Sequence, residues 1–493
     1  MKLALSKKNL WERTPASLKA VIGRAAGLAP LPYLLGRGFR EWYALLEDAQ
    51  WWSADRIQAY QLSQLRRIVT LAFEKSEFYR DHFGRVGFEP GDLKEPSDLA
   101  GLPTIDKETV RANLDQMTTV DVRSQSIDYV STSGTGGTPL GFYLDASRSG
   151  IEFAHLTQSW RRVGYRPGMT TAVLRGQAVQ PDRTGLYHSY DPLLRFHYYS
   201  SFQLNADQMR RYIAHLHRIQ PRFLHFYPSS LYVLARFAAS EELTLPASIE
   251  AALLGSEPVY RQQREFVGQH FPFKLYSWYG HSEKCVLAAE CEHSPLYHVW
   301  PTYGYCEIVN IEGRPAEQGE SGEIVGTSFM NSVTPFIRYR TDDYATLAGD
   351  GCSACGRKHT LLADLHGHRT QEYLVTRGKR AIIAWTAVNM HDDTFDGIMK
   401  FQFVQREPGA AELRIVPNAG PAAYCVDRIR RHLKQKLNGE IDVSIVVCDD
   451  IIPSKSGKKP IVLQLVPDAD QIVALADADA ELSSSQPAAV GEH

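Results

Sequence analysis

Between Tyr129 and Arg340, short apolar runs alternate with segments of helical period. "TTAVLR", "FLHFY", "AALLG" and "GEIVGTS" are strand-sized, whereas "QLNADQMRRYIAHLHRIQ" and "SSLYVLARFAAS" repeat apolar residues every third or fourth position. A strand followed by a helix cannot turn straight back on itself. The helix carries the chain over the sheet, and the next strand enters parallel to the last. The pattern therefore predicts an α/β body with largely parallel sheets. At 493 residues the chain is longer than one hydrophobic core usually serves, so more than one domain is expected.

Two flanking blocks differ in texture. From Ala54 to Phe83, "ADRIQAYQLSQLRRIVTLAFEKSEFYRDHF" keeps apolar and aromatic residues at helical spacing and predicts an amphipathic helix covering a sheet. After Arg369, "KFQFVQRE", "ELRIVP" and "DVSIVVCDD" read as strands and "YCVDRIRRHLKQKL" as a helix, a pattern that suits a smaller α+β domain. The expected organisation is a large multi-sheet α/β N-terminal domain over residues 1–368 and a small α+β C-terminal domain over 369–466. The acidic, Ala- and Ser-rich stretch 467–493 is expected to be a disordered tail.

With 54 basic against 56 acidic residues the formal charge is -2, which argues against a polyanion-binding surface and so against nucleic acid as a partner. In the N-terminal "MKLALSKKNLWERTPASLKAVIGRAAGLAPLPYLL", charges and prolines interrupt every apolar run before it reaches signal-peptide or membrane-span length. Amphipathic helices packed on the main body are expected there, with a membrane-surface role as the alternative. No integral membrane association is expected, and the reading is of a cytoplasmic protein.

"STSGTGGTPL", from Ser131 to Leu140, holds three glycines and five hydroxyl residues between an expected strand ending at Val130 and another from Gly141 to Leu144. Glycines let backbone amides approach an anion without Cβ obstruction, and clustered hydroxyls add donors suited to polyphosphate oxygens. The loop is neither of two familiar phosphate binders, since both open a helix and one needs a lysine followed by Ser or Thr. A flexible linker is the competing reading.

Seven cysteines in a chain of this length do not make a disulfide scaffold. Cys352 and Cys355 form "CSAC" on a glycine-flanked loop, and Cys291 and His298 lie upstream in "CEHSPLYHV". Three thiolates and one imidazole would complete a tetrahedral, structural zinc shell. Ordinary reduced cysteines near a turn are the alternative. Cys285, Cys306, Cys425 and Cys448 read as small buried hydrophobes.

Several ordered motifs together resemble the adenylate-forming enzymes, in the branch of phenylacetate-CoA ligases and capsular-polysaccharide ligase-like proteins. Ser131 to Pro139 is similar to the family's Ser/Thr/Gly phosphate loop, and "YGHSE", Tyr279 to Glu283, to its aromatic-Gly-x-Thr/Ser-Glu motif. "RYRTDD", Arg338 to Asp343, resembles its Arg-Tyr-Arg-Thr-Gly-Asp motif, and "IPSKSGKKP" its catalytic-lysine motif, with Lys458 as the lysine. "SEFYRDHF" and "LPTIDKETVRANL" also resemble this branch, so the likeness runs from roughly Ala54 to Leu465.

The resemblance implies an enzyme that joins a small-molecule carboxylic acid to the α-phosphate of ATP, expels pyrophosphate, and passes the acyl group to coenzyme A or directly to an amine. Ser131, Thr132, Ser133, Gly134, Thr135, Gly136 and Gly137 are then the holders of the β- and γ-phosphates. Glu283 is a hard oxygen ligand for Mg2+, and Ser282 a hydroxyl near the α-phosphate or the substrate carboxylate. Tyr279, followed by Gly280, offers a flat face to adenine, and Asp343 accepts the two ribose hydroxyls. Lys458 is the compact mobile charge for the transition state. Arg369 marks the hinge about which a mobile small domain turns between two poses. Members of this branch carry a similar Cys/His cluster, which supports Zn2+ at Cys291, His298, Cys352 and Cys355, pinning the loop after "RYRTDD" to the loop after "YGHSE".

This chain departs from the family pattern at four positions. Thr138 stands where Lys is common, Asp342 where Gly is usual, and His368 and Glu372 where Gly and Asp are common around the hinge. Asp tolerates positive φ better than most residues, so the turn at Asp342 can be kept. Asp343 could alternatively pair with Arg338 or Arg340. Thr138 and Asp342 motivate a second reading, a non-catalytic nucleotide-binding relative acting as an interaction protein, whereas retention of Glu283, Asp343 and Lys458 favours the enzyme. "FHYYSSF" and "FLHFYPSSLYVL" lie where the family builds its acyl pocket, and their aromatic content suits an aryl or small planar acid.

Overall fold

The computed structural model describes residues 31–467, except 124–126, 132–139, 146–147, 178, 202–203, 205, 258, 260, 311, 368–372, 379–380, 384–392, 396–397, 418–423, 450 and 453–461. The expectations for Thr132 to Thr138, Arg369, Lys458, residues 1–30 and residues 468–493 therefore lie outside the described residues. The rest falls into two compact units, the first closing at Gly367.

In the first unit, β1 (Ile127–Ser131) and β2 (Gly141–Asp145) form a two-stranded sheet. The Tyr129 ring lies over Gly141, where a Cβ would stand 1.7 Å from its hydroxyl, so a larger residue there would displace that exposed ring. The remaining strands are β3 (Thr171–Leu174), β4 (His188–Asp191), β5 (Phe196–Tyr199), β6 (Phe223–Phe226), β7 (Ala251–Gly255) and β8 (Lys274–Gly280). They continue with β9 (Leu287–Ala289), β10 (Tyr297–Val299), β11 (Gly304–Val309), β12 (Ser321–Ser328), β13 (Tyr339–Asp350) and β14 (Thr360–Gly367). These twelve make one sheet in the order β11-β12-β13-β14-β10-β9-β8-β7-β6-β3-β5-β4.

Strands β5, β3, β6, β7 and β8 pair in parallel, and helices Ala206–Ile219, Pro228–Ser240 and Arg261–His270 provide crossovers. Beyond β8 every pairing is antiparallel, as is the edge pair β4-β5. The expectation of largely parallel sheets thus holds for the middle five strands only. Outside them the connections carry no crossover helix, and such connections return the chain antiparallel.

Both faces of the parallel region are covered. Ala172, Leu174, Leu224, Phe226, Ala252 and Leu254 pack against helical residues including Tyr212, Leu216 and Leu234. On the opposite face Val173, Phe223, Leu253, Tyr276 and Trp278 pack around Trp160 of helix Arg148–Arg161. Burial on two faces explains why these strands read as unbroken apolar runs. Each fully buried large side chain contributes roughly 1.5–3 kcal/mol.

The helix expected from Ala54 to Phe83 is two helices, Ala54–Lys75 and Glu77–Gly84. Ser76 leaves the helical region and caps the second, its hydroxyl accepting the Tyr79 N–H at 3.2 Å and donating to the Gln116 carbonyl at 2.7 Å.

The second unit holds β15 (Tyr373–Val375) paired with β16 (Ala381–Ile383), and a four-stranded sheet. That sheet is built from β17 (Ile398–Glu407), β18 (Ala410–Pro417), β19 (Asp442–Val447) and β20 (Val462–Gln464), in the order β19-β18-β17-β20. Helix Val426–Leu437 buries Ile429, Leu433 and Leu437 against Phe401, Phe403, Leu413 and Ile415. Asn438 ends it in the left-handed region at φ 46°.

Candidate active site

The "YGHSE" motif is the turn of a hairpin. Tyr279 and Gly280 end β8, Lys284 takes φ +61°, and β9 returns antiparallel with Tyr279 opposite Ala288. Tyr279, nearly buried, donates its hydroxyl to Asp343 Oδ2 at 2.9 Å. Asp343 is half-buried near the start of β13, where its N–H reaches the Thr341 hydroxyl at 3.1 Å. Burial and the adjacent Asp343 carboxylate hold the phenol well above its ordinary pKa, so it stays a donor.

Glu283 is only 5% exposed and introduces no helix. Tyr339 donates to its Oε1 at 2.8 Å, and His281 Nδ1 lies 3.1 Å from its Oε2. The Val286 N–H donates to His281 Nε2 at 3.2 Å, which leaves Nδ1 carrying the proton that Glu283 receives. Burial raises the Glu283 carboxyl, but the hydrogen bonds from His281 and Tyr339, with Lys107 nearby, outweigh it and hold the group well below the usual carboxylate range. It is a buried group that stays ionised. Ser282 beside it is half-buried and makes no side-chain hydrogen bond among the described residues.

Neither arginine of "RYRTDD" pairs with Asp343. Arg338 is buried on Glu307, with Nη2 at 2.9 Å from Oε1, and donates to the carbonyls of Ala100 and Leu102. Arg340 pairs with Glu323 at 2.7 Å. Asp342 adopts φ +59°, the conformation a glycine there would take, and meets Lys107 at 2.8 Å. Lys107 opens helix Lys107–Met117, which Asp106 caps through the Thr109 N–H. Just before it, Ile105 is hydrogen-bonded to Arg338 and Arg340 backbone as a parallel bridge to Tyr339.

From β8 to β13 the sheet order takes four steps, about 19 Å on a flat sheet. A phenol and a carboxylate cannot span that distance. The sheet curls instead, and the β13-β14 register shifts between Tyr344 and Thr346 and between Leu347 and Gly349 are irregularities of the kind that accompany such bending. Tyr339 and Lys107 are the site neighbours that the sequence motifs did not single out. A cleft of about 420 Å³ lined by Ile57, Gln61, Tyr305, Asp350 and Lys358 contains none of the expected site residues.

Cys291, His298, Cys352 and Cys355 come together with all four ligand atoms within 4.8 Å of one another. His298 is fully buried on β10 and donates Nδ1–H to the Leu296 carbonyl at 2.9 Å, leaving the Nε2 lone pair 3.3 Å from Cys355 Sγ. Gly351 and Gly356, both at positive φ, bracket the turn holding Cys352 and Cys355. Arg357 anchors that turn by pairing with Glu292 at 2.7 Å and lying 4.3 Å over the Trp51 ring. This group could hold a metal ion.

The similarity to known proteins bears out the resemblance read from the ordered motifs. The chain is a relative of the phenylacetate-CoA ligases and of CapK. It is 26% identical over 333 residues to phenylacetate-coenzyme A ligase of Thermus thermophilus, covering 66% of this chain and 73% of that protein. With protein CapK of Staphylococcus aureus the identity is 21% over 392 residues, covering 78% and 84%. In fold it resembles 2-hydroxyisobutyryl-CoA ligase in complex with 2-HIB-AMP and CoA in the thioesterification state, with a TM-score of 0.57 and 20% identity over 89% of this chain and 94% of that one. No family model matches the chain. Among the described residues no helix is long and apolar enough to cross a membrane.

Proposed function

We propose that the protein is an AMP-forming ligase. It activates a carboxylic acid as an acyl-adenylate, releases pyrophosphate, and transfers the acyl group to coenzyme A or directly to an amine. The observation that carries this reading is the meeting of Tyr279 with Asp343 and of Tyr339 with Glu283, which joins two motifs far apart in sequence into one polar site. The named relatives, CoA ligases among them, support the same chemistry.

In this reading Asp343, its orientation fixed by Tyr279, accepts the ribose hydroxyls, and Tyr279 presents its ring to adenine. Ser282 contacts the α-phosphate or the acid, and Ser131 to Gly137 hold the β- and γ-phosphates. Lys458 supplies positive charge to the transition state, and Arg369 is the hinge. Glu283 fits Mg2+ chemically, since it stays ionised and each oxygen, with one hydrogen bond accepted, keeps a lone pair. Bound there, Mg2+ would neutralise phosphate charge.

The Cys/His group fits structural Zn2+. Tetrahedral ligation by thiolates sets ligand-to-ligand edges of about 3.8 Å, compatible with four atoms that all lie within 4.8 Å of one another, and His298 has the tautomer a ligand requires. A cytoplasmic setting, which keeps thiols reduced, is consistent with seven free cysteines.

The test is pyrophosphate release from Mg-ATP over a panel of aryl, fatty and hydroxy acids, with and without coenzyme A or an amine, for wild type and Lys458→Ala. Acid-dependent release that collapses in the variant is expected. ATP binding without release for any acid would overturn the enzyme reading in favour of a non-catalytic relative.

A further inference from the structure

Arg175 follows β3 directly, at the carboxyl ends of the parallel strands, where open α/β sheets place their ligands. Strand alternation puts it on the same face as Val173. His225 of β6 and Trp278 of β8 belong to that face as well. Successive residues of β8 point to opposite faces, so Tyr279, the partner of Asp343, faces away from this group. The strand thus separates a nucleotide side from a second polar locus.

That locus is built around a cation with neutral partners. Arg175 Nη1 donates to His225 Nε2 at 2.6 Å and Nη2 to the Ser256 hydroxyl, while Nε is buried without a hydrogen bond. The guanidinium carbon lies 5.2 Å from the Tyr227 ring and 5.5 Å from the Trp278 ring. Trp278 reaches this position because β7 ends in glycine, where a Cβ would meet the indole at 2.3 Å. Among the described residues no carboxylate oxygen lies within 4.0 Å of the guanidinium, and Glu257 acts on it only electrostatically from further off. Aromatic walls fix the group and neutral acceptors orient it, with no carboxylate among the described residues paired to it. A planar fork in that state matches a carboxylate.

We infer that Arg175 determines acid specificity, and that the preferred substrate is a dicarboxylic acid whose second carboxylate binds Arg175 while the first is activated. The inference rests on the adenylation reading for the first carboxylate and on the geometry above for the second.

The test compares matched pairs, hexanoate with adipate and phenylacetate with 4-carboxyphenylacetate, in wild type, Arg175→Lys and Arg175→Met. Acid-dependent pyrophosphate release and calorimetric binding of each acid without nucleotide are both read. In wild type kcat/KM should favour the dicarboxylate of at least one pair by roughly 10- to 100-fold. Arg175→Met should abolish that preference by lowering kcat/KM for the dicarboxylate far more than for the monoacid, with Arg175→Lys between. Preference for monoacids in wild type overturns the inference, as does an equal loss for both members of every pair. So does a raised KM for ATP with the acid preference unmoved, which would make a nucleotide phosphate the bound anion. If no acid drives pyrophosphate release, the adenylation reading fails alone, and calorimetry decides. Dicarboxylate binding lost in Arg175→Met supports the site, whereas absent or equal binding overturns it. Should Arg175→Met not fold, the wild-type preference and its change in Arg175→Lys settle the outcome.

Discussion

Tyr279 and Asp343, with three strands between theirs in the sheet order, share a hydrogen bond of 2.9 Å. Tyr279→Phe keeps the ring and removes the donor. If Asp343 accepts the ribose hydroxyls as proposed, it then loses the bond that orients it, and the KM for ATP should rise about 10-fold with a smaller change in kcat. Steady-state kinetics with ATP and 2′-deoxy-ATP checks this, since discrimination between the two should also weaken.

Tyr339→Phe addresses the other carboxylate. Glu283 has a folded-state pKa lowered from 4.5 to about 2, so its contribution to stability is complete above about pH 4.5 and lost as pH falls toward 2. Removing the Tyr339 donor raises the folded-state pKa and reduces that contribution. Urea unfolding at pH 7 should show a loss of roughly 1–3 kcal/mol. The gap from wild type should narrow as the pH drops below 4.5.

Elemental analysis of the purified protein should find one zinc per chain. Cys355→Ser, which replaces a thiolate with a poor zinc ligand, should lower the zinc content and the melting temperature, the latter by roughly 5–10 °C. Full stability without any metal would show that the four side chains are ordinary reduced groups.

Ser76→Ala removes both the cap on helix Glu77–Gly84 and the bond to the Gln116 carbonyl. A stability loss of about 1–2 kcal/mol is expected by denaturant unfolding, with pyrophosphate release from folded protein unaffected.

The parallel strands were legible because burial on both faces writes itself as consecutive apolar residues, and "TTAVLR", "FLHFY" and "AALLG" fall on β3, β6 and β7. In the antiparallel wing "GEIVGTS" was legible too, falling on the largely buried β12, whereas β9 and β10, three residues each, are too short to show a periodicity. The break at Ser76 was hidden for another reason: apolar spacing continues through it, and a serine capping a second helix looks like a serine on the polar face of one.

In the site, the motifs identified Tyr279, Glu283 and Asp343 but gave no sign of which would touch. Tyr339 reaches Glu283 from 56 positions away, and Lys107 reaches Asp342 from 235, separations on which local spacing carries no information. One signal was available for Tyr339. In "RYRTDD" an aromatic between two arginines alternates as a strand does, and the tyrosine is the fully buried member. Arg175 had a fainter one, a charge closing an apolar strand at its carboxyl end.

The turn carrying Cys352 and Cys355 lies at the far end of β13 from Asp343, about 23 Å along the strand. Cys291 and His298, which meet it there, belong to the β9-β10 hairpin that follows Tyr279's strand. The strands gathered by the cluster at one end are therefore those whose bending lets Tyr279 meet Asp343 at the other. The arrangement is a lever. If these residues hold the nucleotide as proposed, loosening the cysteine corner should free the strands at one end, and grip on the nucleotide should weaken before the fold does.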